Sequence, residues 1–175
     1  MSLLIYRFDD LKRFPLLDDW TTARGLVERH IEDDAWGRLL CLTYAASLDD
    51  PSDAVLALAL PVRAVSGGPE ELQLAVLGDG HKWWFELQGW NADGQLMDWC
   101  WGTTACAGRQ TCAVAVDTGT ARLVGSVVTG AQCVTVPLEF YRLNIRPPAG
   151  VGKSRIGLRS LSVTGSAWPV PAGVA

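Results

Sequence analysis

The sequence predicts an all-β protein built as an antiparallel two-sheet β-sandwich. Three observations predict it. Short runs rich in β-branched, aromatic and alternating apolar residues recur along the chain. Turn signals drawn from 18 Gly and 9 Pro separate them. No long stretch carries the 3.6-residue apolar period of an amphipathic helix. The chain has 175 residues, 49% of them hydrophobic and 19% charged. That is enough for one domain with its own core and too apolar for a disordered chain.

The elements follow in order. Residues 17–30 read as a loop that wraps the core or as one short helix. Residues 39–44 (LLCLTY) read as a strand. Residues 55–60 alternate, with Leu56, Leu58 and Leu60 on one face and Val55, Ala57 and Ala59 on the other. A helix capped at 49–52 would be stopped by Pro61 after two turns, so strand is preferred. Ser66-Gly67-Gly68-Pro69 reads as a turn, 72–77 as a strand, and Gly78-Asp79-Gly80 as its end. Residues 83–90 and 96–101 form a hairpin about Asp93-Gly94. Residues 102–108 read as a loop. Further strands are expected at 112–116, 121–128, 133–138, 141–145 and 155–163. Residues 1–165 form a single sandwich domain, and 166–175 a C-terminal tail that is loose beyond Trp168.

Net charge is −4. No Lys/Arg stripe stands out, so nucleic acid is not an expected partner. Charges at Arg7, Asp9, Asp10 and Lys12 interrupt residues 1–20, which therefore do not read as a signal peptide. The longest apolar run, 54–60, is too short to span a bilayer. The five cysteines are Cys41, Cys100, Cys106, Cys112 and Cys133, an odd number that leaves one thiol unpaired within a monomer. Cys100, Cys106 and Cys112 are spaced too widely for the usual zinc motifs, and a disulfide among them requires an oxidising compartment.

Four segments together resemble the galactose-binding-like β-jelly-rolls, the carbohydrate-binding-module-like domains of bacterial glycoside hydrolases and cell-surface proteins. Tyr6-Arg7-Phe8-Asp9-Asp10-Leu11 with Trp20 resembles their opening. Residues 72–95 (LQLAVLGDGHKWWFELQGWNADGQ) resemble their central hairpin, residues 134–138 (VTVPL) an inner strand, and 155–163 (RIGLRSLSV) the closing strand. The resemblance implies a jelly roll with first and last strands adjacent. It also implies glycan binding, an extracellular or cell-surface location and, as a partner, a neighbouring catalytic domain. That family often holds a structural calcium between its first and last strands. Here Arg159 and Ser160 stand where an Asp ligand would be, and a cation cannot ligate calcium. No metal and no other cofactor are therefore expected. Arg159 is expected to pair with Asp9 or Asp10 in the ion's place.

Face assignment in the hairpin locates a ligand. A two-residue turn at Asp93-Gly94 pairs Trp90 with Met97, Gln88 with Trp99 and Glu86 with Trp101, and opposed residues share a face. One face then collects Trp84, Glu86, Gln88, Trp90, Met97, Trp99 and Trp101. The other collects Trp83, Phe85, Leu87, Gly89 and Cys100 and is the core side. An odd turn flips the second strand. The first face mixes flat aromatic rings with a carboxylate and an amide, which suits a sugar's apolar C–H face and its hydroxyls. The ligand-binding candidates are Trp84, Glu86, Gln88, Trp90, Trp99 and Trp101. The competing reading is a patch buried under residues 102–108. Trp20 matches a core position of the resemblance, and Trp36 and Trp168 read as caps on the sandwich ends.

His30 and His81 lack metal-ligand spacing, and no nucleophile elbow or P-loop occurs. The pairs Asp9-Asp10, Asp18-Asp19, Asp33-Asp34 and Asp49-Asp50 are adjacent in sequence, so on a strand each pair points to opposite faces and makes no glycosidase dyad. The expected function is a non-catalytic carbohydrate-binding-module-like domain that binds a polysaccharide or glycan through an aromatic sheet face. The alternatives are a structural or protein-interaction sandwich without a sugar site, and an enzyme on the same scaffold.

Overall fold

A computed structural model describes residues 1–17, 25–45, 54–123, 126–127, 134–150 and 152–169. The described residues form nine antiparallel strands and one 3-10 turn, Val116–Thr118. The strands are β1 (Ser2–Arg7), β2 (Leu26–Asp34), β3 (Gly37–Tyr44), β4 (Leu56–Trp90), β5 (Leu96–Ala115), β6 (Thr120–Leu123), β7 (Ser126–Val127), β8 (Leu138–Arg146) and β9 (Ser154–Pro169). No helix among these residues is long and apolar enough to cross a membrane.

Two layers arise because β4 and β5 each serve both. In the first layer β3 lies between β2 and β9, and residues 71–78 of β4 lie between β9 and residues 108–115 of β5. In the second, β8 is flanked by residues 56–65 and 84–90 of β4, and β5, β6 and β7 continue outward. First and last strands are neighbours, as expected: β1 pairs with β9 at Tyr6–Leu161 and Arg7–Ser160. Leu72, Leu74 and Val76 from one layer meet Trp83, Phe85 and Leu87 from the other in a single buried cluster. The alternation at 55–60 holds, since Leu56 and Leu58 are fully buried opposite Ile145 and Leu143.

The largest difference from the sequence reading concerns β4. The segments expected as separate strands at 55–60, 72–77 and 83–90 belong to one bent strand. Its Gly- and Pro-rich intervals are corners rather than ends. Residues 66–69 stay paired with 165–168, and 79–82 form a bulge opposite 105–107. Gly67 has φ +86°, and a Cβ there would lie 2.0 Å from the Ser166 carbonyl oxygen, so only glycine lets the two backbones approach. The expected loop at 102–108 is likewise paired strand within β5, because the bulged β4 keeps presenting partners to it. Over 26–30 the chain is strand β2, not helix. β9 runs on to Pro169. Trp20, Cys133 and the pairs at 18–19 and 49–50 lie outside the described residues.

The expected Arg159 substitution for calcium is not found. The Arg159 guanidinium lies over the Trp36 ring, 4.8 Å from its centroid. Among the described residues it makes no ion pair with Asp9 or Asp10. Alternation is the reason: Arg159 follows the core residue Leu158 and points to the outer face of its layer, whereas Asp10 folds into a local turn that accepts the Lys12 N–H at 2.9 Å.

Candidate functional site

The register of the central hairpin decides which side chains share a face. Trp90 pairs with Leu96, so Asn91–Gln95 is a five-residue connection rather than a two-residue turn. Asn91 builds it: its Oδ1 accepts from the backbone N–H groups of Asp93 (3.1 Å) and Gln95 (2.9 Å), and its Nδ2 donates to Gln95 Oε1 (3.0 Å). Gly94 supplies the φ of +72° that the turn needs. Thr135 Oγ1 donates to Asp93 Oδ2 at 2.7 Å and ties the loop to the chain leading into β8.

An odd loop inverts the parity of β5. Trp99 therefore opposes Leu87, not Gln88, and is fully buried; it meets Phe140 edge-on and donates its indole N–H to Val116 O at 2.9 Å. Met97 is fully buried too. Trp101 is the extra residue at the bulge between the Glu86–Cys100 and Phe85–Gly102 pairs, and it packs half-buried against the core. Of the six expected residues, Trp84, Glu86, Gln88 and Trp90 share one face of β4. Trp99 leaves that group for the core. Asp98 and Cys100 take its place opposite Gln88 and Glu86. Burial pushes the Cys100 thiol above its ordinary value, while N–H donation from Gly102 acts the other way.

The other half of the face comes from β8. Trp84 pairs with Arg146, Glu86 with Asn144 and Gln88 with Arg142. The Glu86 carboxylate accepts from Gln88 Nε2 at 2.9 Å and from Asn144 Nδ2 at 2.8 Å. Gln88 Oε1 in turn accepts from the Tyr141 hydroxyl at 2.9 Å and from Arg142. These bonds orient the row and compensate its burial, since Glu86, Gln88, Arg142 and Asn144 are all nearly inaccessible. Both ends of the row reach the surface. At one, Trp90 is 42% exposed and stacks on Tyr141, with ring centroids 6.2 Å apart and planes 28° from parallel. At the other, exposed Arg146 lies 4.6 Å from the centroid of half-buried Trp84, a cation–π contact that holds the ring. From Trp84 to Trp90 the face runs about 20 Å along the strand.

Sequence reasoning missed Tyr141, Arg142, Asn144, Arg146 and Asp98. The alternation Arg142-x-Asn144-x-Arg146 against buried Leu143 and Ile145 was the available signal. It marks a polar face, but not its partners more than 50 residues away.

The same architecture occurs in solved structures. The family 11 carbohydrate-binding module of Clostridium thermocellum in complex with a β-1,3-1,4-mixed-linked tetrasaccharide superimposes with a TM-score of 0.63, covering 94% of this chain and 96% of that one at 11% identity. The fold is that of the carbohydrate-binding-module jelly rolls. The family 11 module of a cellulosomal cellulase of Clostridium thermocellum gives a TM-score of 0.59 at 11% identity, covering 95% of each chain. A solution structure of a family 11 module gives 0.60 at 10% identity, with 94% and 95% covered. No protein-family model matches the sequence. No curated protein matches it either.

Proposed function

We propose that this chain is a non-catalytic carbohydrate-binding module that holds a polysaccharide on the β4–β8 face and so tethers a neighbouring activity, or its host cell, to that polymer. The observation that carries the reading is the sunken, fully oriented polar row of Glu86, Gln88, Arg142 and Asn144 between two accessible aromatic ends. Pyranose rings would pack their C–H faces on Trp90 and Trp84, and hydroxyls would exchange hydrogen bonds with the accessible polar groups at those ends, Tyr141 and Arg146, over the floor that the buried row forms. A fold shared with a module solved in complex with a mixed-linked tetrasaccharide makes β-glucans the first ligands to test. This reading leaves out Trp99, enclosed in the core, and Trp101, packed against it.

Affinity electrophoresis in gels containing mixed-linkage β-glucan, xyloglucan or soluble cellulose derivatives tests the proposal. Retardation by at least one polymer is expected, lost in Trp90→Ala with the far-ultraviolet spectrum unchanged. Absence of retardation and of glycan-array signal across plant, fungal and bacterial polysaccharides would replace it with the interaction-sandwich reading.

A further inference from the structure

The outer face of the other layer carries a second constellation of chemically active side chains. β2 and β3 form its edge hairpin, and alternation sends Glu28, His30 and Glu32 to the same side of β2. The cross-strand partner of His30 is Cys41, so the thiol and the imidazole stand side by side. His30 Nε2 and Glu32 Oε2 are 3.4 Å apart, and single donor atoms from His30, Glu32 and Cys41 all lie within 4.8 Å of one another. Tetrahedral zinc places its nitrogen, oxygen and sulfur donors about 3.5 Å apart. Side-chain rotation that moves the two β2 donor atoms by about 1 Å would close the remaining gap.

Two further features bear on this cluster. Glu28 Oε1 lies 3.2 Å from His30 Nδ1, within ion-pair distance though not aligned as a hydrogen bond. With a metal on Nε2 in place of its contact to Glu32, a carboxylate there can take the Nδ1 proton as hydrogen-bond acceptor, the usual arrangement around a ligating histidine. The position between the donors is also already held by a cation. The Arg155 guanidinium bonds to Glu32 and lies 3.2 Å from Cys41 Sγ. Its backbone N–H is held separately by Asp79, and its side chain is 42% exposed, so the guanidinium can swing into solvent while its backbone stays in place.

We infer that His30, Glu32 and Cys41 form a binding site for a borderline-soft divalent cation of the zinc type, for which the Arg155 side chain competes. The donor set of imidazole, carboxylate and thiolate selects such ions over calcium or magnesium, which prefer oxygen. Three protein donors leave a fourth position for water. Binding expels the Cys41 thiol proton to solvent, so affinity rises with pH. The site is on the layer opposite the glycan face and stands or falls independently of it.

Cobalt(II) is the probe, titrated into the intact protein under a phosphine reductant. A thiolate-to-metal charge-transfer band in the near ultraviolet, saturating at one ion per chain, is expected. The band should vanish in Cys41→Ala and persist in Cys100→Ala. His30→Ala, a change at a half-buried position outside the core cluster, should weaken binding at least about tenfold. Arg155→Ala should tighten it. Zinc should displace the band. A band that is absent, survives Cys41→Ala, or keeps its affinity in His30→Ala would overturn the site. Weaker binding in Arg155→Ala would overturn the competition.

Discussion

Two tryptophans on paired strands have opposite surroundings, and single substitutions test the difference. Trp99 is enclosed by the core and bonded to Val116, whereas Trp90 stands 42% exposed on Tyr141. Trp99→Ala should cost about 3–5 kcal/mol of stability through the cavity it leaves. Trp90→Ala should cost about 1 kcal/mol or less while removing glycan binding. Urea unfolding of both variants checks the contrast, and equal losses would place Trp90 in the core. Tyr6 gives a second test. Its hydroxyl donates to Pro61 O at 2.7 Å, and burial pushes its ionisation well above the ordinary tyrosine value. The folded state thus keeps a proton that the unfolded chain releases near pH 10, so stability falls as pH rises above about 10. The Cys41 and Cys100 thiols, raised by burial, act with the same sign from about pH 8.5. Tyr6→Phe should lower stability by about 1 kcal/mol at neutral pH. It should also flatten the loss above pH 10 by up to about 1.4 kcal/mol per pH unit, read from urea midpoints across a pH series.

At the scale of elements, the hairpin between β4 and β5 matters most, because its connection sets the face of everything after it. One residue more or less in the loop moves Trp99 from the core side of the sheet to its other face and Asp98 the opposite way. Asn91 holds the five-residue form with two accepted backbone bonds and one donated bond. Asn91→Ala should cost about 1–2 kcal/mol and speed amide exchange at Asp93 and Gln95, measurable by hydrogen exchange. The alternation of β4 was legible because each of its straight stretches is long enough to show a period of two. Its continuity was not. Glycine and proline at 66–69 and 78–80 signal an interruption in local terms, yet in the fold they are the bends that let one strand serve two layers.

For the molecule as a whole, one apolar cluster spans both layers and is contributed by strands from β1 to β9. Because β4, β5 and β9 cross between partners, neither layer has a separable core, and unfolding should be a single cooperative transition. Tryptophan fluorescence and far-ultraviolet circular dichroism should give coincident urea curves; two resolved transitions would show that the layers unfold separately. The sequence by itself determined the all-β class, the core alternation of β4, and the adjacency of first and last strands through its resemblance to jelly rolls. These depend on local periodicity or on order along the chain. Only the tertiary structure decided the loop length at Asn91–Gln95, the bulge at Trp101, the pairing of Glu86 with Asn144 and Gln88 with Arg142, and the outward turn of Arg159. The first three depend on register between strands, and the last on which face of β9 that register buries. A shift of one residue leaves the local pattern unchanged and moves every side chain to the opposite face.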